Sequence, residues 1–385
     1  MVEITKSSSS SAKFTMKQET YFTQLDGIRF LAVGLVLIDH WLAEKNVLPL
    51  GVLGVTMFFV LSGFLITRIL IQSKMKDDAV GRSHWFSVKQ FIIRRSIRIF
   101  PIYFLTIFVL YALDVPPVRD TTWWCLTYTT NIYIATKEHW MGTIDHLWSL
   151  AVEEQYYLVF PYLILFLPTK HYLKVLFAMI ILSVIIRIIL FFNGNEWMVQ
   201  YVLMPTCLDS FGLGGLLAYY FTFKKETVFK EISTTKYLIA SFILLISLMY
   251  FVRQYQLSSN QVHHFGNLVL ERFVGSLFCF FLIAKAVTGY DGIMKFILEN
   301  PISSYLGRIS YGLYLYHNFV YNVYHTPNTS IVMKVLHKIQ SVMPSINQNL
   351  AFELLYFLGI TVFLATLSWY LIEKPVNNLK KYFTY

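Results

Sequence analysis

The first apolar stretch of the chain, Leu25 to Trp41 (LDGIRFLAVGLVLIDHW), carries Asp26, Arg29, Asp39 and His40. Ionisable side chains inside a membrane span are costly to keep and mark pathways or reaction centres. Arg29 and His40 are eleven positions apart, which on a helix brings both to nearly one face, about 16 Å apart along the axis. Histidine titrates near neutral pH and serves as a general acid or base. Asp39, adjacent to His40, points about 100° away around the helix and is poorly placed to orient it. A plainer reading has Arg29 snorkelling to a headgroup and His40 ending the helix at the interface.

Three further stretches concentrate polar side chains in apolar surroundings. Lys89 to Tyr103 (KQFIIRRSIRIFPIY) holds Arg94, Arg95 and Arg98 just ahead of Pro101, a residue that can open a helix. Arg94 and Arg98 share a face at i, i+4, and Arg95 adjoins Arg98 at i, i+3. Such a cluster either grips phosphates or anchors the chain at a cytoplasmic membrane surface. Asp145 to Pro161 (DHLWSLAVEEQYYLVFP) sets Glu153 beside Glu154 in an aromatic helix, with His146 and Trp148 at its entrance. Ser149, Glu153 and Tyr156 form one face there, and Leu150, Glu154 and Tyr157 the next. Ser303 to Asn318 (SSYLGRISYGLYLYHN) stacks Tyr311, Tyr314 and His317, as a site or as an interfacial aromatic belt. The small-residue run Gly51 to Thr67 permits close helix packing, with Ser62 and Gly63 placed to border a cavity. Arg187, Asp209, Glu271, Arg272 and Glu353 also fall in apolar segments, where mutual ion pairing is the simple explanation.

The elements that must position these residues follow from composition. Of 385 residues 56% are hydrophobic and only 14% charged, against about 25% charged in a soluble domain. Apolar runs of roughly 20 residues recur throughout, which defines an all-α polytopic membrane protein. Ten spans are expected: 25–43, 52–72, 99–115, 146–168, 174–192, 205–223, 237–252, 265–287, 309–325 and 350–372. The aromatic, half-polar stretch 120–135 reads as interfacial or re-entrant. Most Lys and Arg then fall on the side of the N-terminus, so the positive-inside bias predicts that both termini are cytoplasmic. The net charge of +10 is accounted for by those loops and by anionic lipid, not by nucleic acid. Residues 1–23 read as a disordered cytoplasmic tail rather than a signal peptide, and 377–385 as a short second tail. Cys125, Cys207 and Cys279 fit no metal or redox spacing. Neither a Gly-rich phosphate loop nor a G-x-S-x-G elbow occurs, which removes the P-loop and soluble-hydrolase readings.

LDGIRFLAV, FFVLSGFLIT, RRSIRIFPIY, HLWSLAVEEQYYLVFP and ISYGLYLYH occur in that order. Together they resemble the acyltransferase-3 family of integral membrane acyltransferases, which includes bacterial O-antigen and exopolysaccharide O-acetyltransferases. The resemblance spans Gln24 to the YLIEKPV ending at Val376, implying one acyltransferase-3 transmembrane domain over 24–376. It looks like the stand-alone form, without a C-terminal SGNH-type domain. It implies an acyl group, usually acetyl, moved from cytoplasmic acyl-CoA to a hydroxyl of a surface polysaccharide or its lipid-linked precursor. The implied setting is a bacterial cytoplasmic (inner) membrane, with acetyl-CoA as donor, no metal, and the bilayer and a glycan or glycolipid as partners.

By motif, the resemblance makes His40 the essential histidine and Arg29 its basic companion, with Glu153 and Glu154 completing the catalytic set. It makes Arg94, Arg95 and Arg98 the arginine motif associated with the donor. Tyr103 is a further candidate for donor binding, and Asp26, Trp148, Ser149, Tyr311 and His317 are candidates for substrate binding. CoA is polyanionic at its nucleotide end, so an arginine cluster is a fitting counter-charge. An ideal-helix distance of about 16 Å from His40 is too long for Arg29 to share one reacting atom, which makes it a donor-track or structural residue. Acylation of a small molecule or glycolipid is a second enzyme reading. A transporter or flippase, conducting protons or substrate along the charged face, is a reading of another class.

Overall fold

The computed structural model describes residues 21–42, 48–223, 226–347 and 349–385, so the expected N-terminal tail lies outside the described residues up to residue 20. All regular structure among the described residues is helical. Helix α1 (Thr23–Leu42) is 20 residues long, about 30 Å, with Asp26 in its first turn and His40 in its last. Helix α2 (Leu50–Val80) returns beside it and runs well past the expected limit at residue 72. It stops at Gly81, whose left-handed backbone (φ 66°, ψ 27°) lets its N–H reach the Asp77 carbonyl. The buried Asp77 carboxylate accepts from Arg82 at 2.7 Å, tying this end to the next helix.

Helix α3 (His84–Ala112) is capped by Ser83, whose hydroxyl accepts from the Trp85 N–H. It starts far ahead of the expected 99–115, so Arg94, Arg95 and Arg98 are inside the helix and Pro101 does not open it. A proline is tolerated within a spanning helix where neighbouring elements satisfy the loosened backbone. Two residues before the proline, the Ile99 carbonyl accepts from the Tyr311 hydroxyl at 3.4 Å, which links α3 to the Ser310–Val320 helix. The stretch 120–135 forms helices Thr122–Leu126 and Thr130–Lys137, of 5 and 8 residues, too short to cross a bilayer.

Helix α4 (Leu147–Phe166) carries the paired carboxylates. Helices α5 (Tyr172–Phe192) and α6 (Leu208–Phe223) follow. Helix α6 crosses α2 closely, because a Cβ at Gly63 would strike the Phe211 backbone and one at Gly214 the Val60 backbone. Small residues at a crossing let backbones approach, which is how helices associate when lipid is as apolar as their own side chains. The fully buried Arg187 pairs with Asp209 across α5 and α6 at 2.6 Å. Asp209 also accepts from Ser183 at 3.1 Å and from Ser276 at 3.3 Å. That is one of the ion pairs the sequence left unassigned.

Helix α7 (Thr235–Ser259) leads through a π-helical turn, Gly266–Glu271, into α8 (Arg272–Thr288). A separate helix α9 (Pro301–Arg308), capped by the Asn300 side chain, precedes α10 (Ser310–Val320), which is shorter than the expected span 309–325. The chain leaves the helix at Tyr321 (φ −158°, ψ 134°). Helix α11 (Leu350–Ser368) closes the bundle. Among the described residues, Leu50–Val80, Thr169–Phe192, Thr235–Ser259, Gly266–Thr288 and Leu350–Tyr382 are long and apolar enough to cross a membrane. Exposed Ile239, Phe242 and Ile243 on α7, and Leu355 and Phe363 on α11, give the bundle an apolar outer face. Helices satisfy their own backbone groups, so such faces meet lipid at no polar cost. The chain is an integral membrane protein.

Candidate active site

The last turn of α1 meets α10. His40 Nδ1 lies 2.7 Å from His317 Nε2, and the two rings stack at 4.9 Å with 19° between their planes. The tautomers follow from the partners. His317 Nδ1 is 2.6 Å from the Tyr314 carbonyl, an oxygen that only accepts, so this nitrogen carries a hydrogen. His317 is fully buried, and a charged imidazolium without an anionic partner would be expensive there. Its Nε2 therefore presents a lone pair, to which His40 Nδ1–H donates. The result leaves the lone pair of His40 on Nε2, as a base, on a half-buried ring.

The same helix end is braced from α4. His146 Nε2 donates to the Leu315 carbonyl at 3.1 Å, and its ring meets His317 edge-on at 5.1 Å. The Tyr314 hydroxyl donates to the His146 carbonyl at 3.0 Å and lies 2.5 Å from Ser149 Oγ. Beyond the helices, Asp145 accepts from His325 Nε2 at 2.7 Å. Burial pushes the Asp145 carboxyl above its ordinary range, and the His325 contact pulls it back down.

Below Tyr314 a cavity with about 890 Å³ of space free of atoms opens between α1, α2, α3, α4 and α10. Arg29, Arg95 and Arg98 line one part of it, Glu153 and Glu154 another, and Ser149, Tyr311 and Tyr314 the wall nearest the histidines. Glu153 accepts from Ser62 at 2.7 Å, and Ser62 is 3.0 Å from the Tyr157 hydroxyl. Arg95 lies over the Tyr157 ring at 5.3 Å. One oxygen of Glu154 is buried without a hydrogen bond. The lining thus combines three cations, two carboxylates and an aromatic wall, which suits an elongated ligand with a polyanionic end.

Of the residues singled out in sequence, Arg29, Ser62, Arg95, Arg98, Ser149, Leu150, Glu153, Glu154, Tyr157, Tyr311 and Tyr314 meet at this cavity. The others lie elsewhere. Arg94, one turn before Arg98 on α3, donates to the carbonyls of Lys380 and Phe383 at 3.0 and 2.8 Å. Tyr103 is buried, stacks on Tyr128 at 4.2 Å and donates to the Cys125 carbonyl. Asp26 pairs with Arg29 at 2.5 Å and accepts from the Tyr21 hydroxyl. Trp148 packs behind the cavity, between Phe59 and Tyr201. His40 and His317 adjoin the cavity through Tyr314 without lining it. Ser62 borders the cavity as its place in the small-residue run suggests. The His40–His317 and Ser62–Glu153 contacts span 277 and 91 positions of chain, for which no local spacing provides a signal.

The family model described as an acyltransferase domain, acyltransferase-3, matches residues 22–373. The chain belongs to the acyltransferase-3 family. A protein of Staphylococcus aureus strain COL, provisionally named as an O-acetyltransferase, is 29% identical over 392 residues, covering 94% of this chain and 58% of the relative. The O-acetyltransferase OatA of S. aureus strain NCTC 8325 / PS 47 is 26% identical over 387 residues, with the same coverage. The chain therefore spans 58% of the length of these relatives. No solved structure matches it.

Proposed function

We propose that the chain is a membrane O-acyltransferase that moves an acyl group, acetyl by the names of its relatives, from acyl-CoA to a hydroxyl of a surface glycan or its lipid-linked precursor. The observation that carries this reading is the His40–His317 pair, held against Tyr314, a wall residue of the arginine-lined cavity. Arg95 and Arg98 bind the phosphates of CoA. Arg29, tied to Asp26, flanks the same track, and the slim pantetheine arm runs past Glu153 and Glu154 towards Ser149 and Tyr314.

At that end His40 Nε2 accepts the proton of the acceptor hydroxyl as its oxygen attacks the thioester carbonyl. Collapse of the tetrahedral intermediate breaks the C–S bond. His40 returns the proton to the departing sulfur, giving the ester and free CoA thiol. Burial of the pair keeps water from competing for the thioester.

The charge asymmetry of the loops favours cytoplasmic termini with ten spans, putting Arg29 inside and His40 at the outer side of a bacterial inner membrane. Purified protein in detergent, given acetyl-CoA and a glycan acceptor, will release CoA thiol in step with sugar ester. Substrate movement across vesicles without thiol release would replace this reading with a transporter.

A further inference from the structure

A second cleft lies at the same end of the bundle as His40, outside the arginine-lined cavity. Its walls are Pro49 at the start of α2, Trp197 and Tyr201 of the short helix Trp197–Val202, Tyr250 and Arg253 of α7, and Glu271 of the π-helical turn. Two features set it apart from a lipid-filled crevice. First, it is aromatic on several sides: Trp197 stacks with His263 at 4.3 Å, Tyr201 packs on Trp148 at 4.9 Å, and Tyr250 is 60% exposed. Second, Glu271 and Arg253, opposite in charge, make no hydrogen bond or ion pair among the described residues, whereas the neighbouring Arg272 is held by the Gln200 carbonyl at 2.6 Å.

Rings that accept an apolar face, combined with a carboxylate and a guanidinium whose polar atoms are uncommitted, match a pyranose. The axial C–H groups of such a sugar form a flat apolar surface, and its equatorial hydroxyls both donate and accept. An acyl chain would use the rings and leave both charges unmatched at a cost.

The cleft is also a neighbour of the arginine-lined cavity. Tyr201 lines the cleft, Phe59 lines the arginine-lined cavity, and Trp148 touches both, at 4.9 and 6.2 Å. The next residue after Trp148, Ser149, meets the Tyr314 hydroxyl beneath the histidine pair. Tyr201, Trp148 and Phe59 thus form a packed aromatic wall between the two spaces. We propose that this cleft is the acceptor subsite, which takes a pyranose unit of a glycan and holds it against the wall that separates it from the acyl-donor cavity. The assignment rests on the acyltransferase reading for its role, and on the cleft itself for its ligand class.

The test is saturation-transfer NMR on the full chain in detergent, with chitotriose, cellotriose and maltotriose as probes and acetyl-CoA followed in parallel. At least one trisaccharide is expected to receive saturation on its ring protons. Glu271→Gln, Arg253→Gln and Tyr250→Ala should each weaken it about tenfold, the loss of one good contact, while the acetyl-CoA adenine signal persists and shows that the variants are folded. Phe251→Ala, an exposed ring outside the cleft, should change neither. Absence of binding by all three trisaccharides would overturn the assignment. So would binding of dihexanoyl phosphatidylglycerol alone at these residues, or equal loss of the acetyl-CoA signal in the variants. Sugar binding without any acetyl-CoA signal in the wild-type protein would strike the donor reading and leave the cleft standing.

Discussion

His317 Nδ1 donates to the Tyr314 carbonyl at 2.6 Å while its Nε2 accepts from His40 Nδ1 at 2.7 Å, so one buried imidazole sets both the orientation and the tautomer of the other. A neutral histidine here does the positioning that a carboxylate does in many hydrolytic triads. Asp39, the sequence neighbour of His40, lies instead towards α2, where a Cβ at Gly51 would come within 2.6 Å of its carboxylate.

This arrangement predicts that His317→Ala lowers kcat by about 10²–10⁴-fold, the range seen when a catalytic histidine loses its orienting partner. The KM for acyl-CoA should stay nearly constant, because His317 does not line the donor cavity. His317→Gln, which keeps an acceptor oxygen, should recover part of the rate. Steady-state kinetics of the three proteins decide it, and a change in KM alone would show that His317 binds substrate directly.

The three arginines of α3 should separate. Arg95→Ala and Arg98→Ala remove cations from the cavity and are expected to raise the KM for acetyl-CoA by about tenfold or more, the worth of a charge-assisted contact. Arg94 serves the carbonyls of Lys380 and Phe383, so Arg94→Ala should have the smallest effect on KM of the three. Equal effects at all three positions would contradict this placement.

Part of this was legible in sequence and part was not. Helical periodicity and hydropathy located α1, α4 and α5 within a few residues, because apolar length alone dictates a span. The third span was misplaced at its start because Pro101 was read as a helix opener, whereas the Ser83 cap sits 18 residues earlier. Helix α9, just ahead of the expected span 309–325, has no apolar run to mark it, since Pro301–Arg308 holds Ser303, Ser304, Gly307 and Arg308. At the site, residue type gave His40, Glu153 and the arginine cluster. Their pairing with His317 and Ser62 depends on helix–helix contact, and although Arg94 and Arg98 share a face at i, i+4, only Arg98 lines the cavity while Arg94 meets the C-terminal carbonyls.

The Arg187–Asp209 pair should behave as a buried structural bridge. Arg187→Leu or Asp209→Leu alone leaves an uncompensated charge and should cost about 3–5 kcal/mol, read as a large drop in Tm in detergent. The double variant Arg187→Met with Asp209→Leu should recover much of that loss. If the double variant were no more stable than either single one, the pair would have a role beyond neutralisation.

Steric demands at the α2–α6 crossing are equally specific. Gly63→Leu and Gly214→Val each place side-chain atoms where the other backbone already runs, so little folded protein should be recovered. Gly34→Ala has open space around its Cβ and should leave Tm within a degree or two of wild type, about 0.5 kcal/mol at most. Size-exclusion profiles and thermal melts in the same detergent compare them directly.

The central claim is that the His40 Nε2 lone pair takes the acceptor proton. It is tested most directly by His40→Ala, measured for acetyl-CoA-dependent ester formation beside acetyl-CoA binding. The account predicts a fall of at least about 10²-fold in transfer, with donor affinity retained within about twofold. Transfer by the His40→Ala protein at the wild-type rate would contradict it.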